Sequence, residues 1–302
     1  MNIRILEVPL DYGASRHGSD MGPSAIRLAG LKERLELLGH KTSRLQVEIP
    51  ADSQEYEEQG NPNAKYMEPI AEACTALARQ VDSALQGSEF PLILGGDHSI
   101  ALGSIAGFAA SCNARRLRAG VLYVDAHGDF NTNETTPSGN IHGQCMAASC
   151  GYGMERLRNI YFAGRKIDPR NVCYVGLRSL DKGEKLLMRQ ADVTAFTMSD
   201  IDRQGFSYIV RQVTSFFAER CDAVHVSFDM DSLDPMYAPG TGIRLPAGLS
   251  NREALLLLEE IAATHLVRSA EFVELNPIMD TQNQSAVLAV ELIARLLGET
   301  IF

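Results

Sequence analysis

The chain has 302 residues, of which 45% are hydrophobic and 22% charged, a composition that excludes disordered and fibrous proteins. The 38 acidic and 28 basic residues give a formal charge of -10, and no dense Lys/Arg run offers a phosphate-binding stripe, which argues against nucleic acid as a partner. No stretch approaches the roughly 18 apolar residues of a membrane span, and residues 1–9 are too short and too charged for a signal peptide. The six cysteines lack CxxC spacing, so we predict reduced, structural thiols in a cytoplasmic protein.

Short β-branched runs alternate with amphipathic stretches along the chain. The predicted strands are ILEVPL from Ile5, RLQVEI from Arg44, FPLILGG from Phe90, GVLYVDAH from Gly120, VCYVGLR from Val172, AVHVSFDMD from Ala223 and AEFVELNP from Ala270, with a weaker candidate near Thr194. The predicted helices cover residues 24–38, 66–85, 99–111, 206–219, 252–264 and 284–297, and a polar loop (51–65) and a Gly/Pro-rich loop (235–248) connect elements. Ser250 and Glu253 form a capping box at the start of one helix. This βαβ order, with nearly continuous apolar strands, predicts one α/β domain over residues 1–302 with a mainly parallel sheet covered by helices on both faces.

Three of the strand runs end in histidine and carboxylate residues. The six candidates are His98, Asp125, His127, Asp129, Asp229 and Asp231. Side chains alternate on an extended backbone, so residues two apart should point the same way, and the carboxyl ends of parallel strands meet at one edge of a sheet. One such motif alone is equally well explained by helix capping. Three motifs at the same edge predict a common site.

Four of the six candidates are carboxylates, and burying them together costs several kcal/mol per charge unless cations are present. Two divalent metals balance the four carboxylates, and His98 and His127 complete the ligand set. A mostly oxygen set without thiolate favours Mn²⁺ over structural zinc and leaves Co, Ni and Fe open. Paired metals lower the pKa of a shared water from ~15.7 towards ~7, so the predicted chemistry is hydrolysis by a metal-bridging hydroxide.

The same segments carry a resemblance to a known family. Gly-Gly-Asp97-His98-Ser, Asp125-Ala-His127-Gly-Asp129 and Ser227-Phe-Asp229-Met-Asp231-Ser-Leu-Asp234-Pro are similar to the three metal signatures of the ureohydrolases, the arginase and agmatinase family. The likeness runs from Gly13 to Pro277 and is greatest to the arginases of bacterial type. It implies a single three-layer α/β/α domain around a mainly parallel sheet of about eight strands, two Mn²⁺ per chain and a homo-oligomer, trimeric or hexameric.

Two further residues are candidates for chemistry on a guanidinium. This group is planar and permanently cationic, so it favours a carboxylate in fork geometry, and Glu274 ends a strand run in a segment similar to the family's guanidinium-binding segment. An alkylamine leaves only when protonated, since its conjugate acid titrates near ~10.4, and His142 matches the family's proton shuttle. Taken alone, either residue could be structural. With Asp129 they form the predicted catalytic set. Glu271 is left out because it should face the opposite side of the strand, whereas His225 is a candidate support for the metal ligands.

The polar loop between the second metal motif and the shuttle histidine should wall the mouth of the site. It resembles the arginase version of this loop, in which Asn131 and Ser138 would bind an α-carboxylate and Asn140 would support the loop or bond nearby. A later segment resembles the one in which Asp181, and Glu184 through water, would bind an α-ammonium. By composition alone these residues build turns. Agmatine lacks the α-carboxylate and guanidinobutyrate lacks the α-ammonium, so a site with partners for both charges would leave one partner unpaired with either compound. This costs roughly 1–3 kcal/mol or more. The expected substrate is therefore L-arginine, cleaved to L-ornithine and urea.

One departure and three alternatives accompany this prediction. The family usually carries Thr two residues after Thr241, where this chain has Ile243, so turnover or substrate preference could differ; whether Arg244 faces substrate, loop or solvent stays open.

The alternatives are another ureohydrolase acting on agmatine or a guanidino acid, a two-metal phosphoesterase, and a non-catalytic metal-dependent binding protein. The loops offer carboxylates rather than the Arg or Lys that a phosphate needs. No GxGxxG after a strand, Walker motif or GxSxG is present in the sequence, which removes the dinucleotide, nucleotide and serine-esterase interpretations.

Overall fold

The computed structural model describes residues 1–50 and 60–301. Within them the strands are β1 (Asn2–Val8), β2 (Lys41–Gln46), β3 (Gly60–Asn61), β4 (Ala64–Lys65), β5 (Phe90–Gly95), β6 (Ala119–Val124), β7 (Val172–Leu177), β8 (Thr194–Thr197), β9 (Ala223–Asp229) and β10 (Val267–Val273). The helices are α1 (Gly22–Leu28), α2 (Leu31–Leu37), α3 (Met67–Gln86), α4 (Ala101–Ala114), α5 (Cys145–Ser149), α6 (Glu155–Arg158), α7 (Lys182–Gln190), α8 (Met198–Gln204), α9 (Phe206–Arg220), α10 (Asn251–Ala263) and α11 (Gln284–Leu296).

The main sheet has eight strands in the order β2-β1-β5-β10-β9-β6-β7-β8, and every neighbouring pair is parallel. The predicted α/β class, with a mainly parallel sheet of about eight strands, is confirmed. Strands β5, β10, β9 and β6 lie side by side at its centre. Their carboxyl ends therefore form one continuous edge, where ligands bind in open α/β sheets.

Helices cover both faces of the sheet. Successive residues of β5 point to opposite faces, so Leu92 and Leu94 join one apolar cluster while Ile93 joins the other. The first cluster includes residues of α1, α2, α8, α9, α10 and α11, and the second includes residues of α3 to α7. This double burial explains why the central strands read as continuous apolar runs.

Two glycines hold α4, which begins just after the His98 turn, against α3. A Cβ on Gly103 would lie 2.4 Å from the carbonyl oxygen of Cys74, and a Cβ on Gly107 would lie 2.4 Å from that of Ala78. Any side chain at either position would push the helices apart. The close contact fixes the start of α4, and with it the turn that carries His98.

Several predicted elements differ from the observed ones. The single helix predicted over 24–38 is two helices, because Gly30 between them has a left-handed backbone (φ 88°). Strand β2 lies at the sheet edge, and its residues are mostly exposed, unlike those of the central strands. Helices α5 to α8 were not predicted, since they are short or carry few apolar residues. The 235–248 loop and the capping box of α10 are confirmed.

Three other predictions concern the polar loop, the cysteines and membrane-spanning helices. Residues 51–59 of the predicted polar loop lie outside the described residues, and the remainder forms the β3–β4 hairpin. All six cysteines are buried free thiols, as predicted. Among the helices of residues 1–50 and 60–301, none has the length and apolar character needed to cross a bilayer.

Candidate metal centre and substrate cavity

The candidate metal ligands lie at the last residue of β9 and in the tight turns that follow β5, β6 and β9. Asp229 accepts the backbone N–H of Asp231 at 2.6 Å, and Asp125 accepts that of His127 at 2.7 Å. Asp129 has a left-handed backbone with φ 49°. The structure brings these side chains together, but the predicted alternation along an extended backbone is wrong, because turns direct the side chains to one side.

The first group of ligands surrounds Nδ1 of His98. This nitrogen lies 3.1 Å from Oδ2 of Asp125, 3.2 Å from Oδ2 of Asp129 and 3.1 Å from Oδ2 of Asp229. One ring nitrogen carries at most one proton and cannot satisfy three carboxylate oxygens by hydrogen bonding. Three oxygens and one nitrogen directed to a common point are instead the donor set of a divalent cation.

A second group shares Asp125 with the first. Nδ1 of His127 lies 3.4 Å from Oδ1 of Asp125 and 3.2 Å from Oδ2 of Asp231. Both groups have the spacing of possible metal-ligand sets, namely His98, Asp125 and Asp229 in one and Asp125, His127 and Asp231 in the other. Oδ2 of Asp125 and Oδ1 of Asp231 are buried and accept no hydrogen bond from the described residues. Because such buried oxygens are costly without a partner, these residues fit a pair of oxygen-preferring cations.

Charge within the cluster perturbs every member. Burial and the carboxylates of Asp129 and Asp231 raise the pKa of Asp125. Burial and the same kind of repulsion raise the pKa of Asp229 well above its usual range. Burial alone would also raise the pKa of Asp129, but the hydrogen bond and charge of His98 outweigh it and the pKa falls. Crowded carboxylates that compete for protons are stabilised when divalent cations replace the protons.

A buried network of polar side chains contacts Nε2 of His98. Oγ of Ser227 lies 2.7 Å from Nε2 of His98 and donates to Oε1 of Glu271 at 2.8 Å, and Nε2 of His225 lies 3.4 Å from the same oxygen. Glu271, which is not among the predicted site residues, is therefore connected to the candidate ligand His98 through Ser227. The predicted alternation of side chains between Glu271 and Glu274 does not hold, because Glu274 has a left-handed backbone (φ 62°) and lies beyond the extended strand. Ser227 and Glu271 are register partners on β9 and β10, which only knowledge of the strand pairing could have revealed.

Glu274 connects the candidate ligand His98 to His142, the predicted proton shuttle. Its Oε1 accepts the backbone N–H of His98 at 2.8 Å and lies 3.1 Å from Nδ1 of His142. Burial disfavours the charged imidazole, but the hydrogen bond and charge of Glu274, with the charges of Asp129 and Asp97, raise the pKa of His142 to about 9. The imidazole is therefore cationic at neutral pH.

These groups face a cavity of about 140 Å³, well below the ~300–1,000 Å³ of sites for drug-sized ligands. Its lining comprises His127, Asp129, Asn131, Thr136, Pro137, Ser138, His142, Gly143, Ser179, Asp181, Glu184, Asp229, Asp231, Ile243 and Glu274. Of the predicted site residues, three do not line the cavity, namely His98, Asp125 and Asn140. Six carboxylates against two imidazoles make the cavity suited to a compact cation.

The predicted substrate-binding residues lie around the mouth. Nδ2 of Asn131 donates to Oδ2 of Asp181 at 2.9 Å, and both line the cavity with Ser138. The amide of Asn140 points elsewhere and donates to Ser15 at 2.9 Å. The two carboxylate oxygens of Glu184 accept the backbone N–H groups of Phe130 and Asp181, and burial raises its pKa to about 7.

The departure from the family pattern also lies at the mouth. Ile243 lines the cavity and is 44% exposed, so it presents an apolar group where the family usually has a hydroxyl. Nε of Arg244 donates to the Pro239 carbonyl at 2.7 Å, and Nη2 donates to the Met279 carbonyl. The Arg244 side chain is thus bound to its own and a neighbouring loop and does not line the cavity.

Known proteins resemble the chain over its whole length. Residues 1–298 match the sequence model of the arginase family. An arginase of Bacillus caldovelox is 45% identical over 300 residues, which cover 99% of each chain. The solved native structure of the B. caldovelox arginase has a TM-score of 0.95 and 44% identity, covering 100% of this chain and 99% of that chain. The structure of an Entamoeba histolytica arginase in complex with L-ornithine has a TM-score of 0.90 and 30% identity, covering 99% of each chain.

Proposed function

The chain belongs to the arginase family, and from that premise we propose that it hydrolyses the guanidinium of L-arginine to L-ornithine and urea with two Mn²⁺ per chain. The observation that carries the proposal is the arrangement of two ligand groups sharing Asp125, with the Glu274–His142 pair beside them at one acidic cavity. Bacterial arginases resemble the chain over nearly its whole length, and one related arginase is known in complex with L-ornithine.

The two ligand groups would hold the two cations. His98, Asp129 and Asp229 would bind one, His127 and Asp231 the other, and Asp125 contributes an oxygen to each group. When bound, the metal pair supplies a water molecule of lowered pKa as the nucleophile. Four carboxylates against two divalent charges leave the centre close to neutral, which allows its burial.

The carboxylates around the cavity orient the substrate. Glu274 lines the cavity next to the metal centre and offers a carboxylate to the guanidinium. Asp181 at the mouth offers a carboxylate to the α-ammonium. The amide of Asn131 orients this carboxylate by donating to its Oδ2. Ser138 offers a hydroxyl, and Asn131 its amide N–H, to the α-carboxylate. Glu184 is engaged with two backbone N–H groups, so it would reach the ammonium through a water molecule.

The leaving amine receives its proton from His142. The imidazolium, with a pKa of about 9, is charged at neutral pH and lines the cavity beside Glu274. The conjugate acid of an alkylamine titrates near ~10.4, so the leaving amine is the more basic of the two groups and takes the proton. Glu274 holds the ring through Nδ1, so the other nitrogen is free to face the substrate.

A substrate panel tests the proposal. The protein is loaded with Mn²⁺, and urea release is measured from L-arginine, agmatine and 4-guanidinobutyrate, with Asp231→Asn as the metal-deficient control. We expect kcat/KM for L-arginine to exceed that for the other two by roughly 10–100-fold, because each leaves one charged partner unpaired. A preference for agmatine would replace L-arginine as the substrate. Absence of urea from all three with two Mn²⁺ bound would favour the non-catalytic binding protein.

Further properties belong to the same proposal, and of these the oligomeric state is implied by the family resemblance alone. We propose a single domain over residues 1–302 that forms a trimer or hexamer in the cytoplasm. The six buried free thiols support a reducing compartment. Sedimentation velocity of the purified chain would give the assembly state, and a monomer at micromolar concentration would contradict it.

A further inference from the structure

One aromatic side chain beneath the metal centre contacts two of the candidate ligands. The hydroxyl of Tyr123, on β6, donates to Oδ2 of Asp129 at 2.7 Å. Its ring is stacked on the imidazole of His98, with centroids 4.5 Å apart and planes 4° from parallel. Tyr123 is wholly buried, and its two partners belong to different turns. The contacts therefore connect two candidate ligands that belong to different segments of the chain, one after β5 and one after β6.

Both contacts restrict the rotation of a side chain that must be fixed when it binds a metal ion. The carboxylate of Asp129 can rotate about its last side-chain bond, and a short hydrogen bond to one oxygen fixes its plane. The ring of His98 is held at Nε2 by Ser227 and is stacked on one face by Tyr123. Loss of such supporting contacts typically reduces metal affinity ~10–100-fold.

We propose that Tyr123 is a positioning residue for the metal centre: its hydroxyl orients the Asp129 carboxylate and its ring orients the His98 imidazole towards a common cation. The inference rests on the proposed function, because it assumes that these two residues are metal ligands. It assigns no contact between Tyr123 and the substrate or a metal ion.

The chain provides a matched control in Tyr174. This residue is the register partner of Tyr123 on β7, is also wholly buried, and its hydroxyl donates to the backbone carbonyl of Gly128 at 2.8 Å. Tyr174→Phe removes a buried hydroxyl from the same layer, and the bond that it loses goes to the backbone between His127 and Asp129 and not to a ligand side chain. Any general cost of losing a phenol there should affect both phenylalanine variants equally.

The experiment measures Mn²⁺ binding by the metal-depleted full chain and its variants. Free Mn²⁺ is followed by its EPR signal during titration, and thermal unfolding without metal shows that each variant is folded. We expect Tyr123→Phe to weaken one of the two Mn²⁺ sites at least 10-fold and Tyr174→Phe to change either site less than threefold. Tyr123→Leu, which also removes the stacked ring, should weaken binding at least threefold beyond the Phe variant.

Each other result has one meaning. Parent-like Mn²⁺ affinity in Tyr123→Phe, or equal weakening in Tyr174→Phe, would overturn the role of the hydroxyl. Equal affinities of the Leu and Phe variants would overturn the role of the ring. If the parent chain itself failed to bind two Mn²⁺, the proposed function would fail, and that result is distinct because it appears before any substitution is made.

Discussion

Substitution of Glu274 by Gln should remove a pH-dependent part of the stability of the metal-free protein. Oε1 of Glu274 lies 3.1 Å from Nδ1 of His142, and both side chains are largely buried. The pKa of His142 is raised from 6.5 to about 9, chiefly by this carboxylate. A difference of about 2.5 units corresponds to roughly 3 kcal/mol, because one unit is ~1.36 kcal/mol.

The sign follows from the raised pKa. Below pH 6.5 both folded and unfolded chains carry the charged imidazole, so the stabilisation from the pair is fully present. Between pH 6.5 and about 9 only the folded chain holds the proton, and the stabilisation falls as the pH rises; above about 9 it is lost. Glu274→Gln should thus lose most stability near pH 6 and little near pH 10.

Urea denaturation in the presence of a chelator, at pH values from 6 to 10, measures this difference. His17→Gln is the control, since His17 also lies beside a carboxylate, Asp11, but has a side chain that is 64% exposed. Its stability curve should run parallel to that of the parent. If the curves of Glu274→Gln and the parent are parallel as well, Glu274 does not hold His142 in its charged form, and the proton-donor argument loses its support.

Three further predictions test the metal centre, the mouth and a helix. Asp231→Asn should lose at least one Mn²⁺ per chain by elemental analysis and lower kcat by at least ~100-fold, and full activity at unchanged metal content would contradict the ligand assignment. Asp181→Asn should raise KM for L-arginine by roughly 10-fold or more while changing KM for 4-guanidinobutyrate, which lacks the ammonium, less than threefold; equal changes would argue against ammonium binding. Ser250→Ala should reduce the free energy of unfolding by about 1 kcal/mol, because Oγ of Ser250 accepts the N–H of Glu253, and an unchanged denaturation midpoint would show that the cap contributes nothing.

The sequence predicted which residues form the candidate site, but it did not predict how their side chains are oriented. The motifs after three strands named the groups that the structure brings together, since residue type and position after an apolar run are local properties of the sequence. Their directions were not local. Asp129 and Glu274 both have left-handed backbones, which for residues other than glycine cost ~1–2 kcal/mol and persist only where surrounding contacts impose them.

The sequence by itself determined the alternation of strands and helices, the double burial of the central strands and the capping of α10, because apolar periodicity and short-range hydrogen bonds encode them. Only the tertiary structure decided that β10 lies between β5 and β9, which brings Glu271 beneath His98 through Ser227 and sets Glu274 against His142. It also decided that Tyr123 contacts both His98 and Asp129. Strand order and register depend on packing between segments far apart in the chain, so no single segment of the sequence specifies them.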